Sequence, residues 1–314
     1  MDLSIILVNW NSTAYLRDCI ASIYDHTRGI DFEIIVVDNA SPVDDVDTLK
    51  SDFPGITLIK SKENLGFARA NNLGFRSAAG RHVLFLNPDT RFVNSAANLM
   101  MDQAQSLPNC GVVGCKLLNG DLSIQTSCIQ TFPTILNQTL DADYLRNRWP
   151  RSSLWGIGPL LFEQSAPAKV EVVSGACMMM RREVFERAGL FSEDYFMYAE
   201  DLDLCRKVVR AGYSNYYVSE GVVVHYGGKS STPLWATSMK WKSILHYCAR
   251  NHGRFYALLF RLAMISAAAL RLTMLAIAWL FTCIRTGQRK SYPAAAKWKA
   301  VLKALLTQPS EGLV

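Results

Sequence analysis

Acidic residues are almost missing from the last quarter or so of this chain. From Lys240 to Val314 there is one, Glu311, against twelve lysines and arginines, so this stretch carries +11; the 21 basic and 26 acidic residues before it give −5. That asymmetry argues against an evenly charged soluble body and for a mildly acidic domain held at an anionic surface. The long apolar runs in the same tail favour lipid over nucleic acid as that surface. Paired cysteines are missing too. The eight cysteines (19, 110, 115, 128, 177, 205, 248 and 283) include no C-x-x-C pair, which speaks against a zinc site or a disulfide framework and for a reducing, cytosolic environment. The first ten residues, MDLSIILVNW, lack the features of a signal peptide: position 2 is acidic, the apolar run is very short and no small-residue cleavage site follows. They read instead as a buried first strand. What remains is a 314-residue chain, 50% apolar and 19% charged, long enough for one large domain or two smaller ones with a full-sized core.

Short apolar runs alternate with helical patterns. SIILVNW (4–10), FEIIVVDNA (32–40), ITLIKS (56–61) and RHVLFLNPD (81–89) read as strands, with CGVVGCKLL (110–118) as another. STAYLRDCIASIYDH (12–26) reads as a helix with Ser12 at its N-cap, and GFARANNLGFRSAAG as a helix ending near Gly80. Runs rich in Ile and Val and unbroken by polar residues mark strands covered on both faces. The βαβαβ order then predicts an α/β fold with a parallel, Rossmann-like sheet and right-handed crossovers. From 110 to 170 the pattern weakens, and RNRWPRSSLWGIGPL (146–160) is loop-like, as an acceptor-binding insertion would be.

Ligands bind at the C-terminal ends of strands in such sheets. Here those ends are Asn9-Trp10-Asn11, Asp38-Asn39 and Asn87-Pro88-Asp89. Each alone could be an ordinary turn; three at one edge point to a site. In the tail, the 23 residues between Arg261 and Arg285 are interrupted by a charge only at Arg271. About 20 apolar residues span a bilayer, but a central arginine costs about 2.5 kcal/mol or more. A spanning helix and an interfacial one both remain open, with a cytosolic helical hairpin as the bland alternative.

The stretch YAEDLDLCRKVVRAGY (198–213) puts Glu200, Asp201 and Asp203 at a helix start. Negative residues suit the positive end of a helix, Leu202, Cys205 and Val209 fall on one face, and Gly212 is placed to stop it. One acid would serve as a cap; three suggest chemistry. Packing Tyr195, Phe196, Met197 and Tyr198 alongside would raise a neighbouring carboxylate's pKa, as a general base requires.

Five ordered blocks carry a family resemblance: Asp38-Asn39-Ala40-Ser41, NLGFARANNLG (64–74), LFLNPD (84–89), the segment from VSGACMMM (173–180) to RAGY (210–213), and VVVHYGGKS (222–230). Together, over residues 3 to about 230, they closely resemble the family 2 glycosyltransferases, nearest to the rhamnosyltransferase-like branch that builds bacterial cell-surface polysaccharides. The resemblance implies a GT-A fold, a nucleoside-diphosphate sugar (dTDP-rhamnose favoured, another UDP- or dTDP-sugar the alternative), a divalent cation (Mg2+ or Mn2+) and inversion at the anomeric carbon. It implies a catalytic domain over 1–239, with a donor half of about 1–110 and an acceptor half of about 111–239, followed by a membrane-associating helical region over 240–314.

For residues, the resemblance implies Asp201 as the catalytic base, with Glu200, Phe196 and Gly175 on the acceptor side. On the sugar-donor side it implies Asn9, Asp38, Asn39, Asn64, Gly66, Arg69 and Asn87. Asp38 would read the base or ribose, Gly66 would let the backbone approach the nucleotide, and Arg69 could contact phosphates or simply be a surface arginine. Asp89 and His225 would hold the cation, which needs few protein carboxylates once a diphosphate is bound. A lone histidine at a strand end is otherwise a hydrogen-bonding residue. Asn87 stands where the family usually has an acid, which should weaken cation binding in the absence of the sugar donor. Asp203 is left as helix-start charge. The implied partners are the nucleotide sugar, a lipid-diphosphate-linked saccharide and the cytoplasmic face of a bacterial inner membrane, with no nucleic acid. A non-catalytic scaffold on the same fold would be expected to have lost one of Asp89, Asp201 or His225. A nucleotidyltransferase would want a lysine- and arginine-rich loop after strand one, which NWNSTAYL does not supply.

Overall fold

Strand β1 (Leu3–Asn9) is sealed from solvent from Leu3 to Leu7, as is all of β4 (His82–Leu86). Unbroken Ile, Leu and Val runs have no face to offer water, so both strands lie inside a sheet. The computed structural model describes residues 1–43, 45–140, 145, 148–149, 152, 160, 167–227, 232–286 and 293–307. The loop-like 146–160 stretch falls almost wholly outside them. The chain divides into two compact units, one of Met1–Phe132, Trp149–Phe196 and Glu200–Ser230, the other of Pro133–Arg148, Met197–Ala199 and Ser231–Val314.

The first unit is mixed α/β around a nine-stranded sheet. One half is as the sequence predicts. β1 pairs in parallel with β2 (Phe32–Asp38) and with β4, and β2 with β3 (Thr57–Lys60). Helices α1 (Thr13–His26), α2 (Thr48–Asp52) and α3 (Gly66–Arg76) fall between these strands. In the other half a strand stands where the sequence places one at 110–118, but the directions of the strands around it do not follow from the sequence. β10 (Cys177–Arg181) enters antiparallel between β4 and β6 (Cys110–Leu118). β11 (Ser214–His225) then runs parallel to β6 and antiparallel to β5 (Thr90–Phe92) and β8 (Ala168–Val170). Six strands thus point one way and three the other, a mostly parallel central sheet. A separate antiparallel pair joins β7 (Ile129–Gln130) to β9 (Val172–Val173). Helices α4 (Ala96–Ser106), α6 (Arg182–Arg187) and α7 (Glu200–Arg210) also belong to this unit among the described residues. Buried rings tie β4 to α3 and α6: Phe85 lies 4.8 Å from both Phe185 and Phe191, and Phe75 lies 4.7 Å from Phe185. Such tilted and edge-on pairs contribute about 0.5–1.5 kcal/mol each beyond their burial.

Local details correct the sequence reading. Ser12 precedes α1, yet its hydroxyl does not cap the helix; it donates to Asn9 Oδ1 at 3.0 Å. Helix α3 ends at Arg76, short of Gly80. On α7 the buried apolar face is Leu202, Leu204, Cys205 and Val208, while Val209 is 40% exposed. The helix stops at Arg210, and Gly212 takes the left-handed φ of +90° that a β-carbon disfavours.

The second unit is helical: α5 (Ile135–Leu140), α8 (Pro233–His252), α9 (Arg254–Thr286) and α10 (Pro293–Leu306). Ala257, Phe260, Met264 and Ala268 form one buried stripe of α9 at helical spacing. Arg261 ties off α10, its Nε donating to Leu305 O at 2.6 Å and Nη2 to Leu306 O at 3.3 Å. Arg271 is also taken up inside the unit: Nη2 donates to Thr139 O at 2.8 Å, and the guanidinium lies 4.2 Å over the Trp298 ring. Past Arg271 the helix changes character. Met274, Ile277, Trp279, Leu280, Phe281 and Ile284 are all 40–76% exposed. By length and composition α9 is apolar enough to cross a membrane.

Candidate functional site

Because β1, β2 and β4 are parallel and in register, Asn9 sits opposite Asp38 and Leu7 opposite Leu86, bringing their polar ends to one edge. Asn9 is fully buried and acts as a hub. Its Nδ2 is shared among Asp38 Oδ1 (3.0 Å), Ser41 Oγ (3.2 Å) and Thr13 Oγ1 (3.3 Å). Asp38 Oδ2 accepts from Ser41 N at 3.3 Å, so the carboxylate also organises its own turn. These bonds hold Asn11 and Ala40 at φ +51° and +60°, left-handed geometry that costs about 1 kcal/mol or more for a residue with a β-carbon.

Asn39 spends its whole amide on the next loop. Nδ2 donates to Asn64 Oδ1 (2.9 Å) and Gly66 O (3.2 Å), and Oδ1 accepts from Leu65 N (2.8 Å). Asn64 Oδ1 also accepts from Gly66 N at 3.0 Å. Gly66 has φ +73°, and a β-carbon there would come within 2.2 Å of Phe196 O. The room it leaves is therefore taken by the Phe196 carbonyl, which accepts from Phe67 N at 2.8 Å. Glycine at 66 is what permits this close backbone approach. Arg69 is exposed on the first turn of α3, 3.8 Å from Glu63 Oε1, and the described contacts do not bring it to the other site residues.

The second cluster forms where β11 bends. Its pairing with β6 jumps from Val218–Cys115 to Val222–Lys116, leaving Ser219, Glu220 and Gly221 as a bulge. Asn94 clamps that bulge, Nδ2 donating to Glu220 O (2.7 Å) and Oδ1 accepting from Val222 N (3.0 Å). Bulges re-aim the strand that carries them. Val223, Val224 and His225 then pair with Phe92, Arg91 and Thr90, and Tyr226 N reaches Asp89 O at 3.0 Å. His225 Nε2 ends 3.3 Å from Asp89 Oδ1 and 3.2 Å from Asn87 Nδ2, while Nδ1 lies 2.8 Å from Gln125 Oε1.

The third cluster is the start of α7. Asp201 is half-buried, Oδ2 accepting from Gly175 N (3.0 Å) and Oδ1 from Leu202 N (2.8 Å). Glu200 beside it is buried, and its Oε2 has no hydrogen-bond partner. Burial first, and Asp201's charge second, push the Glu200 carboxyl well above the usual carboxylate range. The acid whose charged form burial disfavours is therefore Glu200. Asp203 is more than helix-start charge: only 1% exposed, it accepts from Ser192 Oγ at 2.6 Å and lies 3.8 Å from Lys207 Nζ.

Short links join the clusters. Asn87 N donates to Ala176 O at 2.9 Å, next to the Gly175 N–H that holds Asp201. A β-carbon at Gly175 would touch Asp201 Cβ at 3.4 Å and the Phe67 ring at 3.7 Å. A bonded path thus runs from Asp201 through Gly175, Ala176 and Asn87 to His225 and Asp89. Gln125, Asn94, Ser41 and Phe67 belong to this framework and were not singled out by sequence; Gln125 sits where the periodic pattern fades.

No three His, Cys, Asp or Glu side chains form a ready cage among the described residues. The pair at Asp89 and His225 still suits a cation. With bonds of about 2.1 Å, neighbouring ligands of one ion lie roughly 3 Å apart, and these two donors are at 3.3 Å. Two protein ligands fit an ion that arrives with a diphosphate and keeps its waters.

The sheet has solved counterparts. The mannosyltransferase PcManGT of Pyrobaculum calidifontis, solved with GDP-Man and Mn2+, matches with a TM-score of 0.59 at 18% identity, covering 96% of this chain and 84% of that one. At that identity the likeness establishes the fold, which is GT-A-like. Residues 4–189 match glycosyl transferase family 2, and the chain belongs to that family of sugar-transferring enzymes. Among its relatives, the N-acetylglucosaminyl-diphospho-decaprenol L-rhamnosyltransferase of Mycobacterium tuberculosis is 27% identical over 284 residues, spanning 86% of this chain and 91% of the relative. The rhamnosyltransferase WbbL of Escherichia coli K12 is 25% identical over 198 residues, 59% of this chain and 71% of that protein.

Proposed function

We propose that this glycosyltransferase moves L-rhamnose from dTDP-rhamnose to a hydroxyl of a lipid-diphosphate-linked saccharide, inverting the anomeric carbon, in O-antigen or cell-wall synthesis. The names of its relatives support the sugar and the acceptor class. The observation that carries the mechanism is the bonded path linking Asp201 to the Asp89–His225 pair.

Asp201 takes the proton of the acceptor hydroxyl as that oxygen attacks the anomeric carbon, and the bond to the nucleoside diphosphate breaks on the opposite face. The Gly175 and Leu202 N–H groups orient its carboxylate, and burial disfavours a second charge on Glu200 beside it. Phe196 and Gly175 line the acceptor side; Asp38 accepts from the base or ribose, with Asn9, Asn39, Asn64, Gly66 and Asn87 shaping the donor side. Asp89 and His225 would hold Mg2+ or Mn2+, which offsets the charge growing on the leaving diphosphate. The catalytic domain is assigned to 1–239 and membrane attachment to 240–314, at the cytoplasmic face of a bacterial inner membrane. The partners of Arg271 favour a helix lying on the bilayer over one crossing it, because they keep the middle of α9 packed within the helical unit.

A nucleotide-sugar panel tested with a polyprenyl-diphosphate-linked acceptor and Mg2+ or Mn2+ checks the reaction. dTDP-rhamnose should show the highest kcat/KM; preference for a UDP-hexose would overturn the rhamnose assignment. Flotation with anionic vesicles checks attachment. Phe281→Asp combined with Ile284→Asp should release the protein, and an unchanged bound fraction would contradict membrane docking by α9.

A further inference from the structure

We propose that Gln125 is a positioning residue that holds His225 as its Nδ1–H tautomer and so keeps the Nε2 lone pair on the side of Asp89. The purpose assigned to this device rests on the cation reading above; the tautomer itself does not. The exposed carboxylate of Asp121 can only accept hydrogen bonds at neutral pH. Asp121 Oδ1 accepts from the Ser123 hydroxyl at 2.5 Å, so that hydroxyl has spent its proton. Ser123 Oγ must then accept from Asn119 Nδ2, 2.9 Å away. That turns Asn119 Oδ1 towards Gln125 Nε2 at 3.0 Å, and the same Nε2 also donates to the His225 carbonyl at 3.4 Å. Gln125 Oε1 is left as an acceptor, 2.8 Å from His225 Nδ1. Each bond in the series has its direction set by the one before, and the last places the imidazole proton on Nδ1.

The backbone holds the glutamine in place: Gln125 N donates to Leu117 O at 2.9 Å and its carbonyl accepts from Cys128 N at 3.1 Å. Without such an anchor the histidine has a competing state. With its proton on Nε2 it would donate to Asp89 Oδ1, 3.3 Å away, and that bond would consume both groups that could hold a cation. Asn87 works in the same direction as Gln125. Its Nδ2, 3.2 Å from Nε2, can donate to the bare nitrogen. An acid at 87 would instead draw a proton to Nε2. Asn87 and the glutamine therefore support the same tautomer. Ligating histidines commonly have the second ring nitrogen fixed in this way, and losing the fixing group costs about 10–100-fold in metal affinity.

Long-range 1H–15N correlation on the full chain with 15N-labelled histidine tests this directly, the His225 signals being assigned by their loss in His225→Asn. Wild type should show a protonated Nδ1 and a bare Nε2. Gln125→Met should move the proton to Nε2, while Gln125→Glu, which keeps an acceptor at the same place, should leave it on Nδ1. Wild-type Nε2–H, or a Gln125→Met protein that retains Nδ1–H, overturns the proposal. A second arm titrates Mn2+ with dTDP present. Gln125→Met should weaken Mn2+ binding by about 10–100-fold and Gln125→Glu much less; equal affinity in wild type and Gln125→Met despite a moved proton refutes the positioning role. If wild type shows Nδ1–H yet Mn2+ leaves the His225 ring signals unbroadened, the cation reading fails and the tautomer assignment stands.

Discussion

At the ends of β1 and β2, Asn9, Asp38, Ser41, Asn39 and Asn64 spend their hydrogen bonds on one another and on the turns beside them. At the ends of β4, β5 and β11, and at the start of α7, the pattern is different. Asp89 meets the rest chiefly through His225, Glu200 keeps an oxygen without a partner, and Asp201 is held by two backbone N–H groups in a half-buried position. Both regions are rich in Asn and Asp, and by composition they look alike. The contrast shows that saturation separates them: the amides of Asn9 and Asn39, whose capacity is used up, shape the site, and carboxylates with lone pairs in reserve, Asp38 included, can meet substrate.

The contrast is sharpest at Asp201. Asp201→Asn should lower kcat by about 10³-fold, within the usual span for a lost general base, with donor affinity and unfolding midpoint unchanged; turnover at the wild-type rate would assign the base elsewhere. Asp89→Asn should cost about 10²-fold in transfer at fixed Mn2+ and recover part of it as Mn2+ is raised, again on a stable protein. Asn9→Ala should show the opposite signature. Leaving buried partners unsatisfied costs about 1–3 kcal/mol, so chemical denaturation should reveal a destabilised fold; a stable protein with a large loss of kcat would break the distinction. The smallest effect concerns pH. Because the Glu200 carboxyl titrates higher in the folded chain than unfolded, the native state binds more protons between the two values, and stability falls as pH rises through that window. Glu200→Gln removes this loss: its stability curve should match wild type at acid pH and lie above it once the pH passes the ordinary glutamate range.

The same contrast explains what could be read from sequence. β1, β2 and β4 were legible because continuous Ile, Leu and Val runs end abruptly in turn-forming Asn and Asp. The direction of β10 was not, since nothing within CMMMR encodes an antiparallel match of Cys177 with Leu86. The left-handed backbone at Gly66 is a local matter, but its neighbour, the Phe196 carbonyl, comes from a distant segment. Asp203 and Val209 exchanged their expected places, because α7 tips a carboxylate inward to meet Ser192 and Lys207. Gln125 depends on a loop with no periodic signal, and only the directions of its bonds reveal a role. The acid pair at 200–201 was visible as a motif, but the upward shift of the Glu200 carboxyl comes from its burial.

In the proposed mechanism Asp89 and His225 bind one cation on the side of the site that Asp201 faces. Manganese anomalous scattering from crystals of the full chain grown with Mn2+ and dTDP would locate that ion. A single strong peak is expected in contact with the Asp89 carboxylate and His225 Nε2, with the Asp201 carboxylate opening onto the same cavity. A peak bound elsewhere, or Asp201 directed away from the nucleotide, would contradict that mechanism.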